Sequence, residues 1–329
     1  MNVLKSLTNC KVLSTITMEQ DKKEWLATRS LGIGGSDVGT ICGVNTWSSP
    51  RMLYLTKTGQ YDEPYEVDKA SNERMHFGNL LEPVVADEYC KRTGNKIAVS
   101  PATLQHKEYP WALANLDRFI IDDEGKPYGV LECKTAGEFM DDMWDDGDVP
   151  IQYLYQLNWY LWITGLEYGA IACLVGGNKF YHYEVIRNDS LIADELLPKA
   201  KNFWENHVLA LVEPPISGTD TDTELVTDAY PESKKNAEIV LPDDEDNDLA
   251  NTIVDCKKKI KELEGIMKEA MNRIKEKMKD NEIAYTQDHV IKWSTVNQSR
   301  IDNDTLRANF PEIASQVTVK SSYRRMTIK

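Results

Sequence analysis

No hydrophobic run in the 329 residues reaches the roughly 18–20 residues that a bilayer-spanning helix needs. The opening stretch, MNVLKSLTNCKVLSTITMEQ, lacks an apolar h-region and a clear cleavage site, so a cytoplasmic protein is expected. The six cysteines, at positions 10, 42, 90, 133, 173 and 256, include no CxxC pair. That argues against a zinc ribbon or a local iron–sulfur motif, and reduced thiols are expected. The five histidines show no HxH or HxxxH spacing, which leaves no zinc pattern. No internal repeat is present. Positive charge is also short, with 38 Lys and Arg against 53 Asp and Glu, a net charge of −15. Spread evenly, that deficit would argue against a nucleic-acid partner. It is concentrated instead: residues 220–248 carry a local −9 and residues 138–148 a local −6. The remainder is neutral on balance and has room for basic patches, so DNA stays a candidate.

What is present reads as a soluble α/β protein, 41% hydrophobic and 28% charged. Residues 1–20 form a weakly structured N-terminal segment. A core domain is expected over 21–215. Within it, 21–30 reads as a short helix, and the turn LGIGGSDVGTICG starts another that Ser36 or Asp37 can cap. A helix begins at Pro50 and stops at Gly59, and a longer one spans 73–94 and ends at Gly94. Residues 112–121 and 128–134 read as a hairpin. An aromatic helix over 150–165 follows, then strands over 168–175 and 179–186 and a helix over 189–211. This order predicts a mixed sheet flanked by helices. Residues 216–248 are expected as an acidic linker or insertion. Residues 249–329 should hold a long helix over 249–280, then short strands and a basic tail with Lys320, Arg324, Arg325 and Lys329. In the long helix Ile253, Ile260, Met267 and Ile274 repeat every seven residues, which suits a coiled-coil strand, a docked amphipathic helix or a DNA-facing helix.

One short stretch, GVLECKT over 129–135, raises a chemical question. Strand alternation puts Glu132 and Lys134 on one face at the end of an apolar element. Charges are rarely buried without a partner. Asp117 sits in the preceding strand of the same hairpin, where its carboxylate can lie opposite that of Glu132. Two such carboxylates repel unless a cation lies between them, and a hard divalent ion such as Mg²⁺ fits oxygen ligands. A surface ion pair is the plain alternative for Glu132 and Lys134. Glu82 on the preceding helix, Gln156 and Tyr160 on the following helix, and Arg29 and Ser36 near the N-terminal turn add weight to a site.

The segments R29-S-L-G-I-G-G-S36-D37, P50-R-M-L-Y-L-T-K-T-G59, F77-G-N-L-L-E82-P83, L116-D117, V130-L-E132-C-K134 and Q156-L-N-W-Y160 occur in the order and spacing of a known family. The chain resembles the YqaJ-type viral recombinases, relatives of phage lambda exonuclease in the PD-(D/E)xK nuclease superfamily. The resemblance covers roughly residues 20–215. It implies a restriction-endonuclease-like core with a C-terminal helical and strand extension. It further implies a Mg²⁺-dependent exonuclease, with Mn²⁺ as substitute, that degrades one strand of linear double-stranded DNA from the 5′ end. The 3′ overhang would pass to a single-strand annealing protein for recombination. Asp117, Glu132 and the Cys133 backbone carbonyl would then be metal ligands, with Glu82 beside them. Lys134 would be the catalytic lysine, Gln156 and Tyr160 would support the site, and Arg29 and Ser36 would hold a terminal 5′-phosphate. Asn115 stands where lambda exonuclease has a serine before the metal-binding Asp, and its side chain can donate to that phosphate. Asn158 stands where relatives often carry a second Gln. A homo-oligomer, a trimeric ring by resemblance, is implied, in the host cytosol if the gene belongs to a phage or prophage. Two other readings remain: a non-catalytic DNA-end binder or scaffold, and an endonuclease of the same superfamily.

Overall fold

A computed structural model describes residues 3–17, 20–61, 69–100, 102–145, 147–319 and 321–328. The chain divides into two compact units, Met1–Thr227 and Asp228–Lys329. In the first unit the central sheet has five strands in the order β2 (Lys96–Val99), β5 (Arg118–Ile121), β6 (Pro127–Ala136), β7 (Tyr168–Val175) and β8 (Lys179–Ile186). Only β6 and β7 run parallel. A parallel neighbour requires a crossover, and α5 (Ile151–Thr164) supplies it. A second sheet joins β1 (Cys10–Ser14), β3 (Thr103–His106) and β4 (Leu113–Asn115). The expected mixed sheet flanked by helices is therefore present.

Both faces of β6 are covered, and its alternation sorts them. Val130 packs with Phe119, Ile171 and Cys173 in a cluster that includes Leu157 and Leu161 of α5. Leu131 and Cys133 face the other way, packing with Ile120, Ala170 and Ala172 and with Val85, Ala86 and Tyr89 of α4 (Lys69–Thr93). Burial on both sides explains why the strand reads as a near-continuous apolar run until Glu132 interrupts it.

The helices expected in the N-terminal half form as α1 (Lys22–Ser30), α2 (Gly35–Ile41), α3 (Pro50–Lys57) and α4. Gly59, Gly94 and Gly165 follow α3, α4 and α5 in the left-handed region, with φ of 66°, 76° and 76°. That is the backbone state by which a glycine ends a helix at no steric cost. The expected cap of α2 shifts: Gly34 is its N-cap, and Asp37 accepts a hydrogen bond from the Gly34 N–H at 2.8 Å.

Several expectations need correction. The stretch 112–121 is not one strand but two, β4 and β5, in different sheets. Asp117 lies at the break between them, not inside a strand. The described part of the N-terminal segment, expected to be weakly structured, contains β1, which pairs antiparallel with β3. The helix over 189–211 is α6 (Asp189–Leu191) and α7 (Leu197–Phe203), extended by π-helical stretches at Ile192–Leu196 and Trp204–Leu209. Residues 216–248 are not all linker. They contain α8 (Asp220–Ala229), whose Asp222 is fully buried and accepts hydrogen bonds from the Ser49 hydroxyl at 2.5 Å and the Ser217 N–H at 2.6 Å. The acidic stretch 138–148 is anchored by Trp144, which is buried and stacked on Tyr153 at 5.7 Å.

The second unit contains the long helix α9 (Asp244–Met278), which starts five residues before its expected position. A two-stranded hairpin follows, β9 (Ile283–Tyr285) with β10 (Val290–Lys292). Two short helices, α10 (Asn303–Asn309) and α11 (Pro311–Val317), stand where only strands and tail were expected. Of the basic tail residues, Lys320 and Lys329 lie outside the described residues.

Candidate active site

The register of the β5–β6 ladder builds the site. Arg118 pairs with Leu131, so the next antiparallel position sets Asp117 opposite Glu132. The Asp117 carboxylate accepts a hydrogen bond from the Cys133 N–H at 2.8 Å, which ties the loose end of β5 to β6. Glu132 is 2% exposed. Its Oε1 accepts from Lys134 Nζ at 2.6 Å and from Gln156 Nε2 at 2.6 Å. Gln156 Oε1 accepts from Lys134 Nζ at 3.2 Å, and Gln156 Nε2 also reaches the Tyr160 hydroxyl at 3.1 Å. One helical turn separates Gln156 from Tyr160, so both project from the same face of α5. That face lies over the side of β6 carrying Val130 and Glu132.

The second oxygen, Glu132 Oε2, is buried and has no hydrogen-bond partner. An unsatisfied buried acceptor costs about 1–3 kcal/mol, and more when charged. A group left so is explained by a redox or catalytic role or by an absent ion.

The charges follow from the burial. Burial and the facing Glu132 carboxylate raise the Asp117 pKa well above the usual carboxylate range, and Glu82 adds to the effect. Burial also raises Glu132, against the opposing pull of Lys134. For Lys134, burial favours the neutral amine, but the carboxylates of Glu132 and Asp117 outweigh it and raise the pKa above the ordinary ammonium value. Lys134 also lies 4.9 Å from the centre of the Tyr153 ring, a further contact favouring the cation.

Glu82 stands apart. It comes from α4, which covers the opposite face of the sheet, and there it ion-pairs with Arg118. Arg118 also donates to the Asp117 carbonyl at 2.7 Å. Among the described residues no three His, Cys, Asp or Glu side chains form a preformed metal cage. The structure brings Asp117, Glu132, Lys134, Gln156 and Tyr160 together, with Glu82 ion-paired to Arg118 and near enough for its charge to raise both Asp117 and Glu132.

Arg29 and Ser36 do meet, with Arg29 Nη2 donating to Ser36 Oγ at 3.1 Å. They connect to the carboxylate site through Gly35. A Cβ at Gly35 would stand 2.5 Å from Cε1 of the Tyr160 ring and 3.0 Å from Cγ of Gln156. The N-terminus of α2 therefore lies directly on Gln156, which holds Glu132, and on Tyr160, which bonds Gln156. Asn115 is tied to Thr103, whose hydroxyl donates to Asn115 Oδ1 at 2.6 Å. Asn158 serves the scaffold: it accepts from the Asn188 N–H at 2.7 Å, ahead of α6.

Three contributors were missed from sequence. Arg118 adjoins Asp117 in LDRF, and its position signals a partner for an acid on a neighbouring helix. Lys57 pairs with Asp37 at 2.7 Å and donates to the Arg29 carbonyl at 2.9 Å, so it positions Arg29. Tyr153 is one turn before Gln156 on α5. For Lys57 the sequence gives no signal, because the contact joins two helices with no local pattern between them.

The model of the YqaJ-like viral recombinase domain matches residues 24–167. The chain is 36% identical over 313 residues to the uncharacterized protein YqaJ of Bacillus subtilis (strain 168), covering 94% of this chain and 95% of that one. Among solved structures, an alkaline exonuclease from Laribacter hongkongensis is similar over 58% of this chain and 94% of its own. Its identity to this chain is 18% and the TM-score 0.45. The same enzyme in complex with dAMP matches 63% of this chain and 97% of its own, at 17% identity and a TM-score of 0.46. A phage-related exonuclease from Haemophilus somnus 129PT matches over 55% and 96%, at 12% identity and a TM-score of 0.38. With a relative this similar over nearly the whole of both chains, the protein belongs to the YqaJ-like viral recombinase family.

Proposed function

We propose that this protein is a divalent-metal-dependent deoxyribonuclease. It acts as an exonuclease on one strand of linear duplex DNA, from the 5′ end, and leaves a 3′ overhang for a single-strand annealing partner. The observation that carries the reading is the unpartnered Oε2 of buried Glu132, opposite Asp117 and beside a cationic lysine. Two facing carboxylates with raised pKa values form an oxygen-rich pocket that a hard cation such as Mg²⁺, or Mn²⁺ in its place, would relieve.

Asp117, Glu132 and the Cys133 carbonyl would hold the ion, and Glu82 would join them on release from Arg118. When bound, the ion supplies Lewis acidity and lowers the pKa of an attacking water. The protein's own residues do the rest. Gln156 fixes Glu132 Oε1 and leaves Oε2 free, and the Tyr160 hydroxyl fixes the orientation of the Gln156 amide. Lys134 is held cationic by its carboxylates, so it has no lone pair with which to take a proton. It contributes positive charge and hydrogen-bond donors to the phosphate as negative charge develops there. Arg29 and Ser36, set on the site through Gly35, offer a guanidinium and a hydroxyl to a 5′-phosphate. Assembly as a homo-oligomer, a ring of three by resemblance, would favour processive degradation.

The test uses linear duplex with a 5′-phosphate, the same duplex with a 5′-hydroxyl, and a closed circle, each with Mg²⁺ and with chelator. The expected result is Mg²⁺-dependent loss of one strand of the linear DNA, fastest with the 5′-phosphate, with the circle intact. Lys134→Ala should abolish it while the protein stays folded. Cleavage of the circle would make the enzyme an endonuclease, and binding to ends without turnover would make it a non-catalytic end binder.

A further inference from the structure

The long helix α9 carries an apolar stripe that nothing in its own unit covers along most of its length. Leu249, Ile260, Leu263 and Met267 are 58%, 54%, 65% and 58% exposed. Among the described residues of the unit, the C-terminal end of the helix is covered, with Met278 buried and Lys275 over the Trp293 ring at 5.6 Å, and Ile253 near the other end is half-buried. Contiguous exposed apolar surface of this kind marks an interaction site.

We propose that α9 pairs in parallel and in register with α9 of a second copy of this chain, as a two-stranded coiled coil, a contact of the second unit that is separate from and additional to the ring of three proposed above. The inference does not rest on the nuclease reading. It rests on three features of the helix. The first is period. Ile253, Ile260, Met267 and Ile274 take the a position of successive heptads, and Leu249, Cys256, Leu263 and Ala270 take the d position. The apolar seam therefore runs from Leu249 to Ile274 inside the 35-residue helix, between Asp246 at the preceding a position and Lys277 at the following d position. Isoleucine at a with leucine at d is the combination that favours two parallel strands. The second is where the helix-weakening residue falls. Gly265 occupies the outward f position, so the seam passes it without a gap. The third is charge. In a parallel pair each g side chain faces the e side chain five residues on in its partner. Lys259 is at g and Glu264 at e, so Lys259 faces Glu264 of the partner subunit, twice by symmetry. One heptad later the flanking g and e positions hold Ile266 and Met271, which extend the apolar seam instead of repelling.

The arrangement makes a geometric prediction with a built-in reporter. Cys256 is exposed and free, and it sits at a d position. In a parallel, in-register pair the two Cys256 thiols face each other across the seam. An antiparallel pair centred on Leu263 would set them about 20 Å apart, at 1.5 Å of rise per residue.

The full-length protein is treated with diamide, which takes up two electrons and two protons as two thiols become one disulfide. Products are read on a non-reducing gel. A disulfide-linked dimer is expected, lost on reduction and absent from Cys256→Ser. Leu263→Asp should lower the dimer yield on the order of tenfold or more, because an unpaired carboxylate would enter the seam. Its circular dichroism should still show the helix. Lys259→Glu and Glu264→Lys should each lower the yield, and the double exchange should restore it, a result that a folding defect cannot produce. In reducing buffer, light scattering should show a smaller assembly for Leu263→Asp than for wild type. No cross-link in the wild type, or a yield indifferent to both charge exchanges, overturns the proposal. So does a single-copy mass in reducing buffer, which would mean the chain covers its own stripe. A Leu263→Asp variant that weakens DNA binding without changing mass or cross-linking would also overturn it, and would identify α9 as a DNA-facing helix.

Discussion

Gly35→Ala sets a local rule against a tertiary one. Gly35 opens α2, and in a helix alanine is favoured over glycine by roughly 0.5–1 kcal/mol. Local propensity alone therefore predicts a slightly more stable protein. The tertiary structure predicts the reverse. The added methyl would stand 2.5 Å and 2.7 Å from two atoms of the Tyr160 ring and 3.0 Å from Gln156 Cγ. Tyr160 is buried and bonded to Gln156, which holds Glu132, so the ring has little freedom to withdraw. Overpacking of this kind costs about 1–3 kcal/mol, which offsets or exceeds the helix gain and leaves a net loss of up to about 2.5 kcal/mol. For a unit of this size each kcal/mol lowers Tm by about 2–4 °C. The larger effect is expected on activity. The methyl pushes on the pair that orients Glu132, and a misplacement of about 1 Å can cost on the order of 100-fold in rate. The assays are a thermal melt followed by near-ultraviolet dichroism, and strand loss from a 5′-phosphorylated duplex in Mg²⁺. A raised Tm with unchanged strand loss would refute the reasoning, since it would show that α2 does not lie on Tyr160 as described.

Lys134→Met should abolish Mg²⁺-dependent strand loss, and the melt should show the fold retained, because Glu132 can take up a proton once its cation is gone. Lys57→Met should destabilise the first unit by about 3–5 kcal/mol in a denaturant titration, the cost of leaving a buried charge unpaired. The Asp37–Lys57 pair also has a pH signature. Burial acts to raise the Asp37 pKa, but Lys57 and Arg29 together hold it below the ordinary aspartate value. A depressed folded pKa stabilises the fold above the unfolded value and is lost as pH falls through the folded one. Wild type should therefore lose stability more steeply than Lys57→Met below about pH 4, and parallel acid titrations of the two would check this. Asp222→Ala should cost about 1–3 kcal/mol for the buried Ser49 hydroxyl left without its acceptor, and less at half-buried Ser217. Limited proteolysis should then cut within 216–229, whereas uncut protein would mean that α8 is held by other contacts.

The chemistry was legible wherever it is local in sequence. Glu132 and Lys134 share a face because side chains alternate along a strand, and Gln156 and Tyr160 share one because four residues make about one helical turn. Helix ends were legible at Gly59, Gly94 and Gly165 for the same reason. The break at Asp117 was not, because the apolar residues of 112–121 lie on both sides of it as they would in one strand, and only pairing shows that its halves enter different sheets. Strands β1 and β3 escaped notice because each is four or five residues long and gains stability only from its partner.

By itself, then, the sequence determined which side chains could share a face, where the helices stop, and that a carboxylate and an ammonium interrupt a buried strand. Only the tertiary structure decided that Asp117 faces Glu132, that Glu82 pairs with Arg118, and that Gly35 lies against Tyr160. Those three outcomes depend on the register between strands and on contacts between helices far apart in the chain. Periodicity constrains one element at a time, whereas such contacts are set by how several elements pack together.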